Sequence, residues 1–125
     1  MTEGWSTATV RLVDLMGRAV RGPKRDGVYA LWLVVRAAEE TASHPDVAPK
    51  LHQRQLEALH HRLASLTPPA PIRRAVASAL SLLANGGADA PATALHQLAA
   101  PAKEALGAEV AEAVAQAVRT VRSHP

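Results

Sequence analysis

The sequence predicts an all-α fold, a single-domain bundle of five or six helices with Pro- and Gly-rich joints. Three observations carry that expectation. Residues Tyr29 to Val35 are apolar without interruption, and as a helix such a run is apolar on every side, the pattern of a buried element. The flanking segments place apolar residues three and four apart, and none alternates with the period of two that a half-buried strand needs. Alanine, the best helix former, supplies 27 of the 125 residues, while prolines and glycines gather between the periodic stretches.

The first helix is expected over 7–21. Ser6 is its N-cap, since a serine hydroxyl accepts from an orphan amide of the first turn, and Trp5 is placed to staple onto Val10. Thr9, Leu12, Val13, Met16, Ala19 and Val20 share its inward face. Gly22-Pro23 ends it. The second helix, expected over 27–42 with Asp26 as cap, contains the apolar run and is the post around which the others pack. It ends before His44-Pro45, because the residue ahead of a proline is pushed out of the helical region.

The third helix is expected over 49–66, starting between Asp46 and Pro49. Leu56, Leu59, Leu63 and Leu66 form its seam, with Leu51 near its start. Thr67-Pro68-Pro69-Ala70-Pro71 favours extended backbone. The fourth helix is expected over 71–84, with Pro71 in its first turn and Ile72, Val76, Ala79, Leu80 and Leu83 inward. Asn85-Gly86-Gly87 is its stop. The fifth is expected over 90–100, capped by Asp89, with Leu95, Leu98 and Ala99 inward. Pro101 either kinks it or begins the sixth, expected over 102–122. That last segment carries Leu106, Val110, Ala113, Val114, Ala117, Val118 and Val121 on one stripe, and Gly107 weakens its start by about 1 kcal/mol relative to Ala.

Composition narrows the function classes. The chain has no cysteine, which removes disulfides, thiolate metal sites and cysteine nucleophiles together and fits a reducing cytoplasm. Glu3 and the lack of a basic stretch before an apolar one give no sign of a secretion signal. No segment approaches the roughly 20 apolar residues of a membrane span, so a membrane is not an expected partner. No Gly-x-Ser-x-Gly, phosphate-binding Gly loop or His-Glu-x-x-His is present. Glu39 and Glu40, about 100° apart on a helix, do not converge as a carboxylate pair. No enzymatic activity and no cofactor are expected.

Glu57 and His60 are the weak candidates for a metal site. They form Glu-x-x-His, the spacing of ferritin-like di-metal bundles, which also need a second such motif and two further glutamates. A symmetric interface would have to supply the second motif, with Glu39, Glu40, Glu104, Glu109 or Glu112 as further ligands. A solvated helix face explains the pair more simply.

The basic residues form a second candidate site. Arg11, Arg18 and Arg25 recur every seven residues, with Arg21 and Lys24 nearby, and Arg73 and Arg74 sit in the first turn of the fourth helix, where the macrodipole disfavours cations. These seven are the candidate phosphate contacts, although no aromatic stacking platform accompanies them.

The core looks thin. Leucine and valine number 15 and 12, with one isoleucine and no phenylalanine, and each buried Leu or Val contributes only about 1.5–3 kcal/mol. The stripe of Val110, Val114, Val118 and Val121 looks broader than closing the bundle requires. Together these predict a non-enzymatic, cytoplasmic interaction protein that pairs with itself as a homodimer or joins a larger assembly through that stripe. A small basic subunit binding nucleic acid backbone is the alternative, and a metal site at Glu57 and His60 a second one.

Overall fold

The computed structural model describes residues 5–19, 21–44 and 49–123. Six helices account for most of them: α1 (Thr7–Arg18), α2 (Pro23–Ser43), α3 (Pro49–Ala64), α4 (Ala70–Asn85), α5 (Ala90–Leu106) and α6 (Ala108–Arg122). No strand occurs among the described residues, and the architecture is an all-α bundle. No helix among them is long and apolar enough to cross a membrane. Val20, the Asp46 start of the third helix and the side chain of Leu51 lie outside the described residues.

The central post is α2, which packs against all five other helices. Val28, Ala30, Leu31, Leu33, Val34, Val35 and Ala38 are buried along it. The apolar run is not buried all round, however: Tyr29 and Trp32 are only half-buried. Three residues apart, they share one stripe, and Trp5 packs on it. Trp5 meets Trp32 edge-on at 5.6 Å, and Tyr29 lies 5.9 Å from Trp32. The expected staple of Trp5 onto Val10 is replaced by this cluster, and Val10 is left 39% exposed.

The local end signals held in part. Ser6 caps α1 as expected, its hydroxyl accepting from the Thr9 amide at 3.1 Å. But α1 stops at Arg18, three residues short, and Ala19 is already extended. Gly22-Pro23 does not end α1; it begins α2. Gly22 has φ +129°, open to glycine at little cost, and Pro23 sits in the first turn, where its missing N–H is not needed. Asp26 therefore lies a turn inside α2 and is not its cap.

The remaining joints follow the same logic. α3 ends at Ala64 rather than 66, yet Leu63 and Leu66 still pack against the core. All five expected inward residues of α4 are buried. Gly86 closes α4 for reasons of space, since φ is −85°: a Cβ there would stand 2.3 Å from that of Ala90 and 2.6 Å from the Leu82 carbonyl. Asp89 precedes α5 without a side-chain capping bond. Pro101 neither ends α5 nor starts α6; the helix runs through it to Leu106. The break is Gly107, at φ +108°, which serves both helices.

The stripe on α6 lies against its own chain. Val110, Val114, Val118 and Val121 are each no more than 6% exposed, covered by their own chain. α6 packs on α5, α1 and α2 together, and a helix with neighbours on three sides needs a wide apolar face. Within the single chain these valines are already covered.

One polar contact is buried in this core. The Thr9 hydroxyl donates to Glu39 Oε1 at 2.7 Å, tying α1 to α2. That bond uses the only hydroxyl proton of Thr9, so across the 3.0 Å contact between the two hydroxyls Ser6 is the donor. Glu39 is 7% exposed, and its Oε2 finds no hydrogen-bond partner among the described residues.

Two outcomes follow from this packing. Leu31→Ala, in the fully buried flank of α2, should cost about 2–5 kcal/mol, whereas Val10→Ala should stay within about 0.5 kcal/mol; urea unfolding of both variants checks the contrast. Thr9→Val removes the donor to a buried carboxylate and should cost about 1–3 kcal/mol. The Thr9→Val/Glu39→Leu double variant should recover part of that loss, and strictly additive losses would show that the two side chains do not interact.

Candidate functional site

Helix directions decide which charges meet. Thr9 at the start of α1 touches Glu39 at the end of α2, and His52 near the start of α3 reaches Leu83 near the end of α4. Sequential helices thus run up and down, and three joints, α1–α2, α3–α4 and α5–α6, share one end. Direct contacts confirm it. Asp26 Oδ2 accepts from the Thr67 amide at 2.8 Å and from its hydroxyl at 3.0 Å. Gly27 leaves room for Pro69 and Leu106, where a Cβ would come within 3.2 and 2.9 Å.

This end carries most of the expected phosphate contacts, in a different arrangement from the one the spacing suggests. Arg11, Arg18 and Arg25 do not align, because the chain leaves the helix after Arg18 and reverses into α2. Arg11 stays on α1, roughly 10 Å along the axis from Arg18 at 1.5 Å per residue. Arg18 is engaged by Asp14 at 2.7 Å and faces Glu109 at 3.9 Å, exposed pairs worth about 0–1 kcal/mol. Arg21 is exposed in the α1–α2 turn. Lys24 and Arg25, in the first turn of α2, come to the same end as Arg73 and Arg74 in the first turn of α4, joined through Asp26 and Thr67.

The charge is concentrated further. Residues 49–85, which span α3 and α4, hold Lys50, Arg54, Arg62, Arg73 and Arg74 against Glu57 alone, a net charge of +4 where the whole chain carries +3; the rest sums to −1. Arg54, Arg62, Arg73 and Arg74 are exposed, and none is in an ion pair among the described residues. Arg54 and Arg62 were not among the residues that spacing singled out. Counting net charge element by element would have found them.

α3 is the least embedded helix, touching only α2 and α4 among the described residues. Leu56 and Leu59 anchor it. His52 Nε2 lies 3.0 Å from the Leu83 carbonyl, and since a carbonyl only accepts, that nitrogen carries the proton. Clefts open on both flanks of α3. One, of about 370 Å³, lies against α2, with Trp32 and Leu33 beside Arg36, Glu40 and Arg62. The other, of about 420 Å³, lies between α2, α3 and α4. Its floor is Ala30, Val76 and Leu80, its sides include Leu63 and Leu66, and His60, Thr67 and Arg73 stand at its rim.

Glu57 and His60 occupy the exposed face of α3. Among the described residues, no group of three His, Asp or Glu side chains is placed to hold a metal ion. Four of the five carboxylates that would have completed a site have partners elsewhere. Glu39 is bonded to Thr9 in the core. Glu40 faces His44 at 3.6 Å, Glu109 faces Arg18, and Glu112 meets Arg119 at 3.4 Å.

The Asp26–Thr67 contact holds the two basic helix starts together. Asp26→Ala should cost about 1 kcal/mol, the modest net worth of a partly exposed hydrogen bond. It should also raise hydrogen exchange at the Thr67 amide while leaving core amides of α5 protected; unchanged exchange at Thr67 would mean the contact is not maintained in solution. Compared with known proteins, the chain matches no family model, no curated protein and no solved structure.

Proposed function

We propose that this chain is a non-enzymatic cytoplasmic interaction protein that engages an acidic protein partner through the basic face of α3 and α4. The observation that carries the reading is the concentration of charge: a net +4 on residues 49–85, with four exposed guanidinium groups in no ion pair among the described residues. Such a surface steers acidic partners and raises their on-rate. The apolar clefts flanking α3 suit the side chains of a protein segment, which a phosphodiester backbone does not offer. The lack of cysteine agrees with a reducing compartment. Self-association through the α6 valines is not part of the reading, because those side chains are covered within the chain.

Binding of nucleic acid backbone is the second reading. Its support is the meeting of Lys24 and Arg25 with Arg73 and Arg74 at two helix starts, where bound phosphate would relieve the conflict between cations and macrodipoles. Against it, the three aromatic side chains cluster with one another, and Arg36 lies over Trp5 at 5.5 Å; no exposed stacking platform accompanies the cations.

The two readings separate in one titration. A Glu-rich helical peptide with leucines at 3–4 spacing should bind, weakening as salt rises, and single-stranded and duplex DNA should bind at least about tenfold more weakly. The combined Arg54→Glu, Arg62→Glu and Arg74→Glu variant should stay folded and lose the peptide. Tighter binding of DNA, with the steep salt dependence of counterion release, would select the second reading. Peptide binding untouched by the charge reversals would overturn the first.

A further inference from the structure

The cleft between α2, α3 and α4 pairs an apolar interior with polar groups at its rim. Its floor reaches the central helix at Ala30 and is continued by Val76 and Leu80, all buried. Its volume of about 420 Å³ falls within the roughly 300–1,000 Å³ typical of small-ligand pockets. The walls are apolar, and the polar groups stand together at the rim. Arg73 and His60 supply N–H donors from two different helices. The Thr67 hydroxyl and amide are both turned to Asp26, so that carboxylate is occupied at the joint. Glu57, three residues before His60, does not line the cleft.

An apolar cavity with a guanidinium and an imidazole N–H at one edge is complementary to a molecule with a hydrocarbon body and an anionic head. We infer that this cleft binds a single-chain anionic amphiphile, such as a medium-chain carboxylate, with its chain against Leu63, Leu66, Pro68 and Ala77 and its head at Arg73 and His60. A partner helix is too large, at about 10–12 Å across, for a space of this volume between three packed helices. A bilayer surface does not fit either, because the floor lies against the central helix and only a chain taken out of the membrane reaches it. The inference does not rest on an acidic protein partner and stands whether or not one binds.

The test is calorimetric titration, below micelle formation, with decanoate, decanol and decylamine, together with displacement of an apolar fluorescent dye. Decanoate should bind and displace the dye, and within the carboxylate series each added methylene should tighten binding roughly fourfold until the cleft is full. Decanol and decylamine should bind about tenfold more weakly, the low end for loss of a charge-assisted hydrogen bond. Arg73→Glu should lose about the same factor and Arg73→Lys should restore part of it. Arg54→Glu, an equal charge change away from the cleft lining, should leave affinity unchanged. Ala77→Phe fills the space from an exposed wall position and should abolish binding while the emission of Trp5 and Trp32 stays native.

Equal affinity for decanoate and decanol would overturn the inference, as would Ala77→Phe leaving binding intact. Equal losses at Arg54 and Arg73 would reduce the effect to diffuse charge, and association only with anionic vesicles would assign it to a membrane surface; either would overturn it. A titration in which decanoate binds but the acidic peptide does not would reject the partner reading alone.

Discussion

Every other helix has to find room on α2, and that requirement shapes the molecule. α2 packs against all five neighbours, and with neither phenylalanine nor more than one isoleucine in the chain, large side chains cannot fill gaps between helices. Close approach does instead. Ala8, Ala30, Ala38, Ala79, Ala94, Ala102, Ala113 and Ala117 are fully buried, and an alanine at a crossing lets two backbones come near enough for the remaining Leu and Val side chains to interdigitate. Gly27 extends the device to the start of α2, where Leu106 and Pro69 occupy the space a Cβ would take. A core of small residues is therefore compatible with one chain, provided that every helix is covered on most of its surface.

The same crowding sets the terms for the polar groups. Glu39 is carried inward because its neighbours on α2 are core residues, and burial of a carboxylate is tolerable only with donors at hand. Thr9, held by the Ser6 cap of α1, supplies one. The cap of one helix thus also stabilises a buried group on the next. Asp26 does comparable work at the opposite end, taking both donors of Thr67 and fixing the α3–α4 joint against the start of α2.

Packing and charge divide the chain differently. α2, α4, α5 and α6 make the most interlocked part of the bundle, and the charges of α1, α2, α5 and α6 largely offset one another. The α3–α4 segment carries the excess of positive charge, and its first helix is the least covered of the six. The clefts beside α3 exist because two leucines, Leu56 and Leu59, bring it onto the core while its polar majority keeps it from settling deeper. Cationic groups and accessible apolar surface coincide there.

The sequence by itself determined the all-α class, the buried role of α2 and the inward faces of α4 and α6, because periodicity, proline and glycine act over a turn or two of helix. Even where it misjudged an end, as at Gly22-Pro23 and Pro101, the residues that shape the joints were local and visible. Tertiary structure alone decided what covers each face. Val110, Val114, Val118 and Val121 form the same stripe whether a partner or the parent chain lies against it, and only the three neighbours of α6 show which. Likewise Arg25 keeps its spacing from Arg18 along the chain, but the reversal after Ala19 takes it to Arg73 and Arg74 instead. Spacing along one helix records direction about its axis; which distant residues share an end, a cleft or a surface depends on how the helices run past one another, and that is set by the packing of the whole core.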